Sequence, residues 1–264
     1  MGAGLTVVMI TKRIDLSIGY SCSALGILVG ALMVNFHISM WVAVIITLIA
    51  GCIIGVFNGV VVAYMGVQDF IATLAFGLLV SGINQAYTRG HPITNLPKSF
   101  DLFGNRIILG IPSAIFFMVG FFVLIYFLLY HNTFGRYFHA IGGNEEATMM
   151  SGVNIKLNIV LSYIICGFGV ALTAIVLTSR LGSAHPLAGE SLLLDALAVV
   201  FLGGTAFREG EPNLAGTFVG ALIIGVLNNG LTLVNVPYYY QYIAKGLMIL
   251  IAVSITSIQR VRKV

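Results

Sequence analysis

Few residues in this 264-residue chain have the type and spacing to do chemistry. The five histidines (His37, His91, His131, His139, His185) show neither HxxxH nor HExxH spacing, so no metal site is expected. Cys22, Cys52 and Cys166 lie inside apolar runs without a CxxC pair and read as small buried hydrophobes. No GxxxxGK[ST] occurs, and the one Lys-Ser pair, Lys98-Ser99, follows Pro97 instead of glycine. The chain therefore carries no phosphate loop, no catalytic group and no cofactor signature of its own. What remains is a handful of carboxylates and amides set among apolar residues. An ionisable group at membrane depth costs about 2.5–3.5 kcal/mol on insertion scales and faces a bundle interior. Asp195, inside an apolar run, is on that reading a path-lining or gating residue; close to Ser191, it is equally a helix-end carboxylate near the boundary. Asp15 stands at the end of its apolar segment, where capping together with Ser17 explains it as well as transport does. Asn58, Asn84, Gln85, Asn228 and Asn229 either line a polar path or join helices, at about 0.6 kcal/mol per bond.

These residues need a scaffold, and composition says which solvent it lives in. Of all residues 59% are apolar and 8% are charged, against about 25% charged in soluble domains. The mean hydropathy is +1.03. A soluble enzyme, a disordered chain and a nucleic-acid binder are excluded. Eight apolar segments can be separated, at 16–35, 40–65, 68–88, 107–131, 157–180, 190–206, 213–236 and 239–258. All but the sixth reach the length a helix needs to cross about 30 Å of hydrocarbon. The sixth is shorter and ends at Gly203-Gly204, so a tilted or broken span is expected there. The runs lack the in–out alternation of a barrel. The expected fold is an all-α polytopic bundle of about eight spans, forming one transmembrane domain over 1–264.

The net charge of +4 forms no basic stripe and reports orientation. With the tail Gln259-Arg260-Val261-Arg262-Lys263 inside, alternation puts Lys12, Arg13, Arg136, Lys156 and Arg208 inside too. Arg89, Lys98, Arg106 and Arg180 fall outside, and Lys245 snorkels toward the outer boundary. Trp41 and Tyr238-Tyr239-Tyr240 with Tyr242 then sit at the outer headgroups, a depth that suits amphipathic rings. Met1–Thr11 is apolar but too short to span and is closed by Lys12-Arg13; it reads as the end of a helix whose beginning is missing. Gly51, Gly55 and Gly59 recur every four residues, as do Gly26/Gly30 and Gly216/Gly220. They allow close packing within the bundle or a seam between two copies.

Two polar loops interrupt the apolar background, at 91–106 on the outer side and 132–156 on the inner side. In the second, Gly142-Gly143-Asn144 signals a turn and Asn144 can cap a following helix. Glu145 and Glu146 fall in its first turn, where the helix dipole favours them. Ala147, Met149 and Met150 supply an apolar side, and Gly152 stops the helix after Ser151. A solvated connector has no use for Met149-Met150, so a docking surface is expected. Arg136 is either an inner-boundary anchor or part of that surface.

At this loop the chain resembles the permease subunits of monosaccharide ABC importers, the ribose-type family. The resemblance rests on Phe134-Gly135-Arg136-Tyr137, Ala140 to Ala147 and Ser151-Gly152-Val153. It continues through Ile14-Asp15-Leu16-Ser17-Ile18-Gly19, Phe57-Asn58-Gly59, Phe70 to Leu74, Leu194 to Ala198, Leu202 to Thr205, and Gly225 to Gly230. Family members usually carry about 50 further residues before the Asp-Leu-Ser motif, including a span, so a truncated start is the expectation. A glycine pair usually precedes that motif; here Lys12-Arg13 stands in its place. Glu211-Pro212 likewise stands where glycine is commoner.

The resemblance implies a multi-pass protein of the bacterial inner membrane that is the passive half of an ATP-driven pump for a monosaccharide or small polyol. Its implied partners are an ABC ATPase subunit on the inner face, a periplasmic sugar-binding protein on the outer face, a second permease copy (identical or related), and membrane lipid, with no nucleic acid. It makes 132–156 the coupling loop. Arg136, Gly142, Gly143, Asn144, Glu145, Glu146, Ala147, Met149, Ser151 and Gly152 then contact or shape the ATPase surface, while Asp15, Ser17, Asn58, Asn84, Asp195, Asn228 and Asn229 are path candidates. Two other functions compete: an ion-coupled secondary carrier, which needs carboxylates or histidines at mid-membrane, and a truncated, non-transporting subunit.

Overall fold

In a computed structural model, residues 1–207 and 211–261 are described; Arg208, Arg262 and Lys263 lie outside them. The continuous apolar runs fold as helices, because only a helix satisfies every backbone group internally in lipid. In chain order these are α1 (Gly2–Ile10), α2 (Ile18–Val34), α3 (Met40–Ala63), α4 (Asp69–Thr88), α5 (Ser113–Tyr130), α6 (Thr133–Gly143), α7 (Glu145–Met150), α8 (Ile155–Leu181), α9 (Glu190–Phe207), α10 (Leu214–Leu233) and α11 (Tyr238–Val261). Five of them (α3, α4, α5, α8 and α10) have the length and hydropathy to cross a membrane. The bundle is thus all-α and polytopic with at least five such helices, while α2, at 17 residues, falls just short of that length.

The core forms around α8. In its most apolar stretch 61% of residues are buried, against 22–28% in the other four long helices. Those four accordingly turn most of their apolar surface outward, as a protein solvated by lipid must. Helices α1, α2 and α3 pack against α8. The α3 contact is close because of its glycines: a Cβ at Gly55 would collide with the Tyr163 carbonyl, and one at Gly59 would lie 2.7 Å from Val160 Cα. The glycine spacing therefore serves a seam inside this chain. Gly26 and Gly30 pack on Thr178 and Ala184, and Gly216 and Gly220 pack on Gly203 and Val199, in the same way. Cys22 and Cys166 are buried free thiols and Cys52 is half-buried, so all three act as hydrophobes.

Two segments depart from the sequence reading. The apolar run at 107–131 does not start as a helix. Ile107–Ile108 (β1) and Ile111–Pro112 (β2) pair around Leu109-Gly110, both with positive φ (52° and 79°), before α5 begins at Ser113. Positive φ at both turn residues matches the twist of a two-residue hairpin, and this local geometry overrides apolarity. The loop at 132–156 holds two helices instead of one. Asn132 caps α6, whose buried Gly135, Phe138, Ile141 and Gly142 repeat with helical period. As the break at Lys12-Arg13 implies, α1 and α2 are separated by a non-helical segment, residues 11–17, in which Thr11, Asp15 and Ser17 are nearly fully buried.

Candidate functional site

Beyond Arg13, segment 11–17 leaves helical bonding, and side chains from two helices, α4 and α8, bond its backbone groups. Ile14 N donates to Asp69 Oδ2 (2.6 Å) and Leu16 N to Thr73 Oγ1 (3.0 Å), both on α4. The Tyr163 hydroxyl of α8 donates to Ile14 O (2.8 Å). Asp15 Oδ1 accepts from Ser17 N (2.9 Å) and Ser17 Oγ (2.6 Å), and Asn58 Nδ2 of α3 donates to Ser17 Oγ (2.8 Å). Three of the path candidates, Asp15, Ser17 and Asn58, thus form one buried cluster. Ser17 precedes α2 without capping it through its side chain; Asp15 turns the chain there instead. Replacing Tyr163 with Phe leaves the Ile14 carbonyl without that donor. We expect thermal unfolding of the purified protein to report a loss of about 1–3 kcal/mol.

Beside this segment opens a cleft of about 840 Å³, lined by Arg13, the α3–α4 turn at 66–69, Glu145, Glu146, Met149 and the start of α8 at 153–156. Helix α7 supplies Glu145, Glu146 and Met149 to its wall. Asn144 is extended and caps α7, its Oδ1 accepting from Ala147 N (3.0 Å), and Gly152 beyond the helix has φ +81°. Gly142 is not a turn residue but the last turn of α6. It lies so close to α1 that a Cβ would overlap the Ile10 carbonyl oxygen. Arg136, Gly143, Asn144, Glu145, Glu146, Ala147, Met149, Ser151 and Gly152 are exposed. Met149 and Met150 are 60% and 87% exposed, so the apolar side of α7 has no cover within this chain. Arg13 Nη2 meets Glu145 Oε2 at 2.9 Å, joining segment 11–17 to α7.

A second polar cluster lies between α9, α10 and α11. Lys245 Nζ sits 2.7 Å from Asp195 Oδ1, and Asn228 Nδ2 lies 3.3 Å from Asp195 Oδ2. Lys245 is buried, so it does not snorkel, because its partner lies within the bundle. Asn229 is exposed, away from this pair's interior. Asn84 is elsewhere again, its Nδ2 donating to Pro186 O (2.7 Å) in the turn before α9, where Ser81 also meets Glu190 (3.2 Å). The seven path candidates therefore occupy separate places in this chain. Among the described residues no group of acidic, His or Cys side chains could hold a metal.

Sequence reasoning missed Asp69, Tyr163 and Lys245 as members of these clusters. An internal repeat relates two of these clusters. Ile53-Ile54-Gly55-Val56-Phe57-Asn58 recurs as Ile223-Ile224-Gly225-Val226-Leu227-Asn228. In space α2 packs on α3 and α4 as α9 packs on α10 and α11. Asn58 and Asn228 thus each reach an aspartate-containing cluster from the middle helix of their triplet, and the last helix of each supplies a further partner, Thr73 or Lys245.

A family described as the permease component of branched-chain amino acid transport systems matches residues 1–253. The ribose import permease of Escherichia coli (strain K12) is 44% identical over 257 residues, covering 96% of this chain and 80% of the relative. The ribose import permease of Bacillus subtilis (strain 168) is 43% identical over 252 residues, covering 95% and 78%. The D-allose transport system permease of E. coli (strain K12) is 31% identical over 255 residues, covering 97% and 78%. No solved structure matches. The chain belongs to this permease family: it is a multi-pass inner-membrane subunit of an ABC-type importer and a transport component, not a catalyst. That membership sets aside the ion-coupled carrier.

Proposed function

We propose that this chain is the membrane half of an ATP-driven importer of a monosaccharide, with ribose the first substrate to test. The observation that carries the coupling role is α7, a capped helix that leaves Met149 and Met150 uncovered beside the cleft. Exposed methionines outside the lipid-facing helices need a protein partner, and an ABC ATPase subunit seated on 132–156 supplies one. A periplasmic sugar-binding protein would dock on the opposite face, around 89–112 and 182–189. A second permease, identical or related, completes the path.

In this reading 1–264 is one transmembrane domain and α2–α5 with α8–α11 are its eight spans, α2 shortened by segment 11–17 and α9 the short sixth. The α7 end is cytoplasmic, in keeping with Lys12, Arg13, Arg136 and Lys156 at that end. Asp15, Ser17 and Asn58 form the inner end of the path and Asn84 its outer end. Asp195 and Asn228 hold α9, α10 and α11 together beside the path, with Asn229 facing outward from them.

The substrate rests on the names of the relatives, most of all on the identity to ribose permeases. The family description favours a second reading, a branched-chain amino acid. Uptake of labelled ribose and of labelled leucine into vesicles holding the complete complex separates the two. The partner is tested with Met149→Asp/Met150→Asp. Burying each methionine contributes about 1.5–3 kcal/mol, so the ATPase subunit co-purified in mild detergent should fall well over tenfold. Undiminished recovery would reject α7 as the docking helix.

A further inference from the structure

Two contacts join helices α6 and α7 to α1 and segment 11–17, which are far apart in sequence. One is the close approach of Gly142 to the Ile10 carbonyl, where α6 rests on the end of α1. The other is the ion pair of Arg13 with Glu145 at 2.9 Å, in which both side chains are partly exposed, at 30% and 47%. Arg13 follows the end of α1, its backbone N donating to Val8 O (3.3 Å). Its next residues are pinned by Asp69, Thr73 and Tyr163, and two residues on begins the Asp15–Ser17–Asn58 cluster at the foot of α2. Lys12, beside it, adopts φ +57°, a left-handed conformation that costs a side-chain-bearing residue about 1–2 kcal/mol. The strained turn aims Arg13 into the cleft. Its Nε is buried there without a hydrogen-bond partner, so one guanidinium nitrogen carries the contact to Glu145.

We propose that Arg13 is a positioning residue for transport: the Arg13–Glu145 pair transmits movement of α7 to segment 11–17 and so to the buried cluster at the start of α2. A pull on α7 through Glu145 draws Arg13, and the covalent chain then carries it over two residues to Asp15. The close contact at Gly142 can push α1 but cannot pull it. The ion pair alone links the two elements in both directions, and because it is partly exposed it can break and reform within a transport cycle. This inference rests on the proposed docking of an ATPase to α7.

The test is a double-mutant cycle with neutral variants, Arg13→Gln, Glu145→Gln and both together, in the full complex in vesicles. It reads ribose accumulated per ATP hydrolysed, with retention of the ATPase subunit measured alongside. Arg13→Gln should keep the ATPase bound, and each single variant should lower transport per ATP by about three- to fivefold, the upper range for a partly exposed pair. The double variant should be no worse than either single, because the two act as one link. Raising ionic strength should lower transport per ATP in the parent and leave the double variant unchanged. Normal transport per ATP in either single variant, or losses that multiply in the double, would overturn the proposal. Loss of the ATPase from Arg13→Gln would make Arg13 a docking residue and overturn it too. Failure of the underlying reading shows separately, as full ATPase recovery with Met149→Asp/Met150→Asp, which leaves the ion pair untouched.

Discussion

Replacing Lys245 with Ala is expected to destabilise the bundle by about 3–5 kcal/mol, the usual result of stranding one member of a buried ion pair. The side chains of Lys245 and Asp195 are only 10% and 18% exposed, and Nζ lies 2.7 Å from Oδ1. The ammonium also sits 5.8 Å from the centre of the Tyr242 ring. Without Lys245, the Asp195 carboxylate keeps, among the described residues, the 3.3 Å contact of Asn228, which cannot offset the lost charge. The pair joins α9 to α11, so its loss should loosen the α9–α11 contact first. Thermal unfolding of the detergent-purified protein measures this. The paired replacement Lys245→Met/Asp195→Leu removes both charges and should cost less than either single change, since no charge is left unpaired. A Lys245→Ala protein as stable as the parent would mean that Asp195 is hydrated in the membrane. The paired variant also separates stability from transport: stable protein with lost uptake would give Asp195 a role in the path beyond holding helices.

Gly142→Val should have the second large effect, and on coupling more than on folding. A Cβ at this position overlaps the Ile10 carbonyl oxygen, a backbone atom that cannot rotate away. Relief requires α6 and α7 to lift off the end of α1. Overpacking of this kind costs about 1–3 kcal/mol, but the displacement also carries Glu145 away from Arg13 and retilts Met149 and Met150. Uptake in the complete complex should fall about tenfold or more, as 1.4 kcal/mol corresponds to tenfold, while membrane insertion of the long apolar helices continues. Gly143, with nothing near its Cβ position, is the control: Gly143→Ala should transport as the parent does. Equal loss from both substitutions would show that the α6 terminus responds to helix geometry in general and not to its seat on α1.

The reading of α7 from sequence and its form in the structure agree because the information is local. An asparagine cap, two acids in the first turn, and a glycine after the last turn act within a few residues of each other. The membrane-length helices were legible for a similar reason, since continuous apolarity needs no knowledge of neighbours. Asp15, Ser17 and Asn58 were each singled out, yet that they touch one another is a tertiary fact: Asn58 lies 41 residues from Ser17. The path candidates were chosen by type, and type could not say that Asn84 and Asp195 lie in separate places. Gly142 shows the limit most plainly. Glycine before an asparagine signals a turn, but here its lack of a side chain serves a distant helix, and no local pattern announces that.

Lys245 was placed at the lipid boundary because, read alone, a lysine in an apolar run is best satisfied by water. The packing of α11 on α9 brings Asp195 within 2.7 Å and makes burial the better solution. From the sequence come the solvent this chain occupies, the runs that become helices, the capped helix α7 and, through its motifs, the family. The tertiary structure decided which polar residues meet. Hydropathy and capping are set by residues adjacent along the chain, whereas a buried hydrogen bond or ion pair exists only once two distant segments have been brought within about 3 Å.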